Sequence, residues 1–135
     1  MKIVTLVENE VAQKDLKQKH GLCLYIETEQ HKILFDLGPD ETFLHNAEQC
    51  GVDIKAVDIV IISHGHADHG GGLSAFLQVN HTAKIYIHPD AFLPHYNKVL
   101  KVPIYCGLDT KFQNNKRIVY TKEHYIIDKN LILFS

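Results

Sequence analysis

Apolar and polar positions in the first third of the chain alternate between strand and helix patterns. Residues 3–7 are apolar and β-branched, and residues 22–26 place apolar side chains at every second position, so both segments predict strands. A third strand is predicted at residues 32–37, joined to the second by a polar turn. Residues 40–51 then carry apolar side chains at helical spacing and end in glycine, which predicts a helix.

The middle of the chain contains a continuous apolar segment followed by a polar loop. Residues 58–62 have no polar face, which is typical of a central strand buried on both sides. They lead directly into a loop rich in histidine and glycine at residues 63–72. The pattern then predicts a helix around residues 73–77, a strand at residues 84–88 and a helical turn at residues 90–96.

The order of these elements favours a mixed α/β fold in a single domain. A length of 135 residues is that of one ordinary domain, and no repeat or linker divides it. We therefore treat residues 1–135 as one domain. The last third of the chain predicts only short strands, at residues 102–105, 118–121, 125–127 and 131–134.

Charge and composition argue against several classes of function. Lys and Arg number 14 and Asp and Glu 16, so a formal net charge of -2 argues against a nucleic-acid partner. No apolar run approaches the ~20 residues of a membrane span, and acidic residues follow the first strand too closely for a signal peptide. We expect a cytoplasmic protein without a membrane partner. The cysteines form no CxxC pair, so we expect small buried side chains at Cys23, Cys50 and Cys106.

The segment His64-x-His66-x-Asp68-His69 carries the strongest chemical signal. In an extended loop, alternate side chains project to one side, so two imidazoles can clamp one metal while Asp68 and His69 reach a second. Nitrogen and carboxylate donors suit zinc, and also iron or manganese. The loop follows a buried strand and opens a helix, which is where binding sites of α/β proteins gather. We predict a site for one or two zinc ions here.

The motif and its surroundings resemble the metallo-β-lactamase superfamily of metal-dependent hydrolases. The family signature HxHxDH after an apolar strand is matched at residues 64–69, and the segment at residues 34–38 resembles the family strand that ends in Asp-x-Gly. Asp58 matches the acidic residue that commonly opens the motif-bearing strand. Residues 7–9 and 20–22, with the triple glycine, resemble the branch related to a dihydropterin ribofuranosyl-aminobenzene phosphate synthase.

The resemblance implies a fold and a set of site residues. The expected architecture is αββα, of which this chain would form about one half, a mixed sheet with helices on one face. His64 and His66 would bind the first metal, Asp68 and His69 the second, and Asp68 would be the catalytic residue that orients the nucleophile. Asp36 and Asp58 would orient ligand imidazoles, or alternatively cap backbone N–H groups at strand ends.

Other polar residues receive weaker assignments. Glu8 and Asn9 would line the pocket, although a loop start explains them equally well. For His20 a place on the surface is favoured over a place at the pocket. His88 is expected to be structural. The remaining histidines have no neighbouring donors in the sequence and are expected to be exposed: His31, His45, His81, His95 and His124.

The resemblance leaves part of the family's ligand set unmatched. Complete members carry a further histidine for the first metal, a bridging aspartate and a last histidine, all in a later half. The only later candidates are Asp109, His124 and Asp128, and their contexts differ. The hypotheses are therefore a metal-dependent hydrolase acting on a small molecule, a synthase of the pterin branch, and a metal-binding half-domain without activity of its own. We expect an exposed apolar sheet face opposite the helices, with Leu22, Leu24 and Ile26 or their alternates on it. Because such a face favours association, we expect a homo-oligomer or a complementary C-terminal half as partner.

Overall fold

The chain folds around one six-stranded mixed sheet. The computed structural model describes residues 1–11 and 13–135. The α-helices in that part of the chain are α1 (Thr42–Gln49), α2 (Ala67–Gly70) and α3 (Leu73–Val79). The strands are β1 (Lys2–Val7), β2 (Cys23–Glu27), β3 (Lys32–Phe35), β4 (Ile59–Ile62), β5 (Lys84–Ile87), β6 (Tyr96–Val99), β7 (Val102–Tyr105), β8 (Ile118–Tyr120), β9 (His124–Ile126) and β10 (Ile132–Phe134).

The strand order of the sheet brings several strand ends together. The order is β1-β2-β3-β4-β5-β8, antiparallel from β1 to β3 and parallel from β3 to β8. The parallel register pairs Leu34 with Val60 and Val60 with Ile85. Because parallel strands point the same way, the loops that follow β3, β4 and β5 leave from one edge of the sheet. The HxHxDH motif of residues 64–69 lies at that edge.

The main hydrophobic core lies between the sheet and the helices. Alternate residues of the central strands, among them Val60 and Ile85, are fully buried against Phe43 of α1 and Phe76 of α3. Each such side chain contributes roughly 1.5–3 kcal/mol by leaving water. Helices on one face of a mixed sheet are what the sequence predicted. The longest described helix has eight residues, and none in the described ranges is long and apolar enough to cross a membrane.

The opposite face of the sheet carries a second, smaller core. Ile33, Ile59 and Tyr86 are buried there beneath the hairpin formed by β9 and β10. The prediction of an exposed apolar sheet face is therefore wrong for the part that the hairpin covers. The exposed apolar surface lies instead on the outer side of the hairpin. There Ile126, Ile132 and Phe134 are 62%, 45% and 85% exposed.

One predicted element differs from the structure. The helical turn predicted for residues 90–96 ends early, as a 3-10 turn at Pro89–Phe92, and β6 begins at Tyr96. Leu93 is extended, with φ -64° and ψ 152°, as expected for a residue that precedes proline. The chain then forms the antiparallel hairpin β6–β7. β7 is the strand predicted at residues 102–105, whereas β6 was not predicted.

His31 connects the sheet to the C-terminal hairpin through two carboxylates. Its Nδ1 lies 2.5 Å from Asp58 Oδ2 and its Nε2 lies 2.6 Å from Asp128 Oδ2. The ring is only 21% exposed, so the expectation of an exposed His31 is wrong. Asp58 also accepts a hydrogen bond from the Lys32 backbone N–H at 2.7 Å. Asp58 therefore lies just before β4, at the end of the strand away from the motif. It caps a backbone N–H group, which is the alternative to its predicted role in orienting a ligand imidazole.

The contacts of His31 with Asp58 and Asp128 form a clamp between the sheet and the C-terminal hairpin. We predict that this clamp makes the stability of the protein depend on pH. Hydrogen bonds to Asp58 and then to Asp128 raise the pKa of His31 above its usual 6.5. The stabilisation is therefore fully present below about pH 6.5 and is lost as the pH rises through the raised value. In thermal melts between about pH 6 and about pH 8.5, the wild type should lose more stability than His31→Gln. The exposed His81→Gln variant should behave as the wild type, and identical pH profiles for wild type and His31→Gln would contradict the clamp.

Candidate metal centre

The site is organised by Asp36, which is completely buried at the end of β3. Its backbone has a positive φ of 58°, a conformation that aspartate tolerates better than most residues but that still costs of the order of 1 kcal/mol. The Asp36 N–H donates to the Ile61 carbonyl at 2.8 Å, which fixes the turn against β4. The carboxylate is thereby aimed at the loop that follows β4.

Asp36 receives hydrogen bonds from both ends of this loop. Its Oδ1 accepts from the Ser63 backbone N–H at 2.8 Å, and its Oδ2 accepts from His69 Nδ1 at 2.7 Å. The carboxylate accepts only, so His69 carries its proton on Nδ1 and presents Nε2 outward. Asp36 therefore orients the imidazole of His69, one of the residues predicted to bind a metal.

Ser63 links Asp36 to His64 and so fixes the tautomer of the His64 imidazole. The Ser63 hydroxyl donates to Asp36 Oδ2 at 2.8 Å and must therefore accept from His64 Nδ1, which lies 2.9 Å away. This contact places the His64 proton on Nδ1 and leaves Nε2 free. Sequence reasoning missed Ser63, whose only signal was its position directly before the motif.

The structure brings the three motif histidines together. The ring centroids of His64 and His66 are 4.8 Å apart, and those of His64 and His69 are 4.2 Å apart. Burial, followed by the neighbouring His69 and His66 rings, lowers the pKa of His64. A lowered pKa keeps the imidazole neutral at physiological pH, which is the form that binds a metal.

Asp68 lies beside the histidines and is half-buried. Its Oδ2 is 3.7 Å from His69 Nε2 and 3.4 Å from His20 Nε2. His20 is 83% exposed, and its Nδ1 lies 3.1 Å from Asn9 Oδ1. His20 is thus a surface histidine that also reaches the site, so both alternatives weighed for it hold.

Glycines allow the surrounding backbone to approach the loop closely. Gly21 has a φ of +133°, and a Cβ there would overlap the Asp68 carbonyl oxygen. Gly65, between His64 and His66, is packed against the Ala91 carbonyl and the His95 ring. Neither position accepts a side chain without movement of the backbone around the motif.

The donor set suits a metal ion in its chemistry and in the way it is oriented. His64 and His69 each offer a free Nε2, held by protein hydrogen bonds of the kind that support metal ligands elsewhere. No three His, Cys, Asp or Glu side chains converge on a single point among residues 1–11 and 13–135. One buried nitrogen nearby, His95 Nε2, has no hydrogen-bond partner in the part of the chain that the structure describes. The donor types and the tautomers of His64 and His69 therefore fit a metal ion.

The other histidines are placed as follows. His88 Nδ1 accepts from the Asp90 backbone N–H at 3.2 Å and caps the 3-10 turn, which is the structural role predicted for it. His81 and His124 are exposed, as predicted, whereas His45 is half-buried. The prediction for His95 is wrong, because its ring lies against His66 with centroids 5.1 Å apart.

A pocket of about 530 Å³ opens beside the motif. Asp68 and His66 form one wall, and the β6–β7 hairpin contributes Asn97 and Tyr105. Lys19 lies at the pocket and pairs with Asp40 at 3.0 Å. Glu8, in contrast, lines a separate pocket near α1, so its predicted place at the site is wrong.

Comparison with known proteins identifies the family. Residues 16–130 match the profile of the metallo-beta-lactamase superfamily. The chain belongs to the metallo-beta-lactamase superfamily. The chain resembles the crystal structure of a metal-dependent hydrolase of the beta-lactamase superfamily, with a TM-score of 0.76 and 26% sequence identity. That likeness covers 98% of this chain and 46% of the hydrolase, so the αββα fold class is confirmed for about half of the architecture.

Two curated relatives come from Methanocaldococcus jannaschii. One, an uncharacterized protein, is 31% identical to this chain. The match covers 97% of this chain and 51% of the relative. A 7,8-dihydropterin-6-methyl-4-(beta-D-ribofuranosyl)-aminobenzene-5'-phosphate synthase is 34% identical over 68% of this chain and 34% of its own length. The chain thus spans about half or less of the length of the curated relatives it matches.

The relay through Ser63 makes a testable prediction. Ser63→Ala removes the acceptor of His64 Nδ1–H, so the His64 tautomer is no longer fixed, and zinc affinity should fall by about tenfold. Nitrogen NMR of the imidazoles would detect the tautomer change, and a chelator competition titration would measure the affinity. Ser74→Ala, on the exposed side of α3, is the matched control. An unchanged tautomer population and an unchanged affinity in Ser63→Ala would argue against the relay.

Proposed function

We propose that this chain carries the metal-binding half of a metal-dependent hydrolase. The observation that carries the proposal is the cluster of His64, His66 and His69 with Asp68, two of whose imidazoles present Nε2 through protein hydrogen bonds. Such a cluster lies at the carboxyl ends of parallel strands, where binding sites of α/β proteins gather. The buried aspartate beneath it orients the imidazoles, as residues around metal sites do, and a solvated turn would not need it.

The proposed ligands divide into two sets. His64 and His66 bind a first metal, and Asp68 and His69 bind a second, so the site takes one or two ions. Zinc is the proposed metal, and iron or manganese suits the same donors. When bound, such an ion lowers the pKa of water to about 7 and stabilises negative charge that develops on the substrate.

The chain's own residues would position the reactants. Asp68 is proposed to orient the attacking water, since its carboxylate is half-buried beside His69 and opens onto the 530 Å³ pocket. The substrate is proposed to be a small molecule with an ester, amide or phosphoryl centre. The net charge of -2 does not favour a nucleic acid, and the cytoplasm remains the proposed location.

A second candidate is a half-domain that is inactive until a partner completes it. Each metal has two proposed ligands here, whereas a catalytic zinc usually has three and one open position. The coverage of 46% of a hydrolase structure supports this candidate. The partner would be a complementary half or another copy of the chain.

A third candidate is a synthase of the pterin branch using the same site. The 34% identity to the pterin synthase of Methanocaldococcus jannaschii favours it. That identity covers 34% of the synthase, so the candidate rests on about a third of the relative's length.

The proposed function predicts which histidines hold zinc. After dialysis against a weak chelator, His64→Ala and His66→Ala should lose most bound zinc, measured by atomic emission, because each removes one of two imidazoles. His81→Ala and His124→Ala, both exposed, should retain it. Equal zinc in all four variants would refute the site.

Assays of generic phosphodiester, thioester and lactam hydrolysis, with the same variants, separate the hydrolase from the inactive half-domain. Slow turnover that a complementary half restores supports the inactive half-domain. Turnover by the chain alone that disappears in His64→Ala supports a self-sufficient hydrolase.

Self-association through the C-terminal hairpin is a further prediction. The outer side of the hairpin exposes Phe134 and Ile126, an apolar patch of the kind that mediates association. In sedimentation at high micromolar concentration the wild type should be larger than a monomer, and Phe134→Ser should shift it toward the monomer. Leu100→Ser, at the tip of the β6–β7 hairpin and 93% exposed, is the matched control. A wild type that is a uniform monomer would contradict the prediction.

A further inference from the structure

The β6–β7 hairpin exposes aromatic and apolar side chains beside the proposed site. Every residue of its two strands is exposed, and neither hydrophobic core of the described part of the chain includes its tyrosines. Leu100 and Lys101 at its tip have positive φ values of 49° and 69°, which a two-residue hairpin turn requires but which are unfavourable for these residues. A two-stranded hairpin that buries no apolar face contributes little to the stability of the fold, so packing does not explain it.

Backbone hydrogen bonds fix the base of this hairpin against the HxHxDH motif. The Cys106 carbonyl accepts from the Ala67 N–H at 2.8 Å, and Gly107 pairs with His66 in an isolated antiparallel bridge. Because Tyr105 directly precedes Cys106, these contacts also fix where the Tyr105 side chain begins relative to the motif.

The ring of Tyr105 is held in one orientation. Its hydroxyl donates to the Leu108 carbonyl at 2.7 Å, and the Tyr96 ring meets it edge-on, with centroids 5.6 Å apart and planes at 74°. A Cβ on Gly107 would lie 2.6 Å from the Tyr105 hydroxyl oxygen, so glycine allows the ring to lie over this backbone. Tyr105 is nevertheless 47% exposed, and it lines the 530 Å³ pocket beside Asp68. The pocket therefore has a pre-oriented aromatic surface.

A second ring in the same pocket comes from the segment that follows β3. Pro39 lines the pocket, and Gly21 packs closely on both Pro39 and the Asp68 carbonyl oxygen. One wall is thus an aromatic ring whose neighbour is bonded to Ala67, and the other is a proline ring beside Asp68. The volume is within the range of roughly 300–1,000 Å³ that is typical of small-molecule pockets. Two ring-bearing walls joined by the motif suit a flat molecule whose reactive group lies at Asp68.

We infer that Tyr105 determines specificity by stacking on a planar ring of the substrate, which is therefore a small molecule with an aromatic or other flat ring next to the bond that is cleaved. The inference rests on the proposed hydrolase function and deepens it by naming the substrate class. A flat ring stacked on Tyr105 makes more close atom contacts than a puckered ring of the same size, and aromatic pairs gain further from their charge distribution.

The test uses two phosphonates that differ in the shape of their ring. Phenylphosphonate is flat and cyclohexylphosphonate is puckered, and neither contains a bond that the proposed hydrolase would cleave. Both are titrated into the zinc-loaded chain by calorimetry, and the preference is the ratio of the two dissociation constants. This preference for the flat ligand should fall at least about fivefold in Tyr105→Leu, which keeps an apolar side chain but no ring, and stay within about twofold in Tyr105→Phe.

Tyr120→Leu is the matched control. Tyr120 is 44% exposed and its hydroxyl also donates to a backbone carbonyl, that of Gln113, but it does not line this pocket. Its substitution should leave the preference unchanged. Because both ligands are measured on the same sample, a partial loss of folded protein cancels in the ratio.

Proton NMR of bound phenylphosphonate distinguishes stacking from a merely structural role of Tyr105. The ligand's ring protons should shift upfield in the wild type and in Tyr105→Phe, and this shift should disappear in Tyr105→Leu. The same preference in wild type and Tyr105→Leu, with no upfield shift in the wild type, would overturn the inference.

His66→Ala separates failure of this inference from failure of the proposed function. If zinc is lost in His66→Ala, but the zinc-loaded wild type binds neither phosphonate or binds both without regard to Tyr105, only the role of Tyr105 is overturned. Zinc affinity that is unchanged in His66→Ala overturns the proposed site itself, and the Tyr105 inference with it.

Discussion

The buried carboxylate of Asp36 is the interaction on which the site depends. It is wholly removed from water and compensated by the Ser63 backbone N–H, the Ser63 hydroxyl and His69 Nδ1. A buried charge with its lone pairs satisfied in this way is tolerated, whereas removal of one donor leaves an uncompensated charge. The three donors come from the two ends of one loop, so satisfying Asp36 fixes the path of the backbone between them. The orientation of the motif histidines is a consequence of that requirement.

The sheet determines where this carboxylate can act. Asp36 follows β3 and Ser63 follows β4, and the parallel pairing of these strands brings the two residues to the same edge. The Asp36 N–H to Ile61 carbonyl bond continues that pairing one residue beyond the strand. On the helix face, the packing of α1 and α3 holds the strands in register. The second face is covered by β9 and β10, whose hairpin packs on the sheet.

Local pattern predicted the strands of the sheet, the helix positions and the motif, because each depends on residues close together in the sequence. The buried run at β4 and the spacing of His64, His66, Asp68 and His69 needed no tertiary information. The partners of His31 are different in kind, since Asp128 lies 97 residues away and nothing in the sequence links the two. His95 was misplaced for the same reason: its contact with His66 depends on the turn before Pro94 and on the hairpin that follows. Ser63 has no periodic signal, and its role exists only because β3 ends beside β4.

The hydrogen bonds of Asp36 come from the protein alone, so they would separate loading of the proposed metal from folding. In a zinc finger the ligands meet only because the ion holds them, so stripping the ion unfolds the chain. Here the loop is held by a carboxylate that belongs to the fold, and two of its imidazoles already present the correct nitrogen. The polypeptide would therefore fold first and bind the proposed ion afterwards. The metal supplied in the cell, rather than the folding pathway, would then decide which ion the site contains.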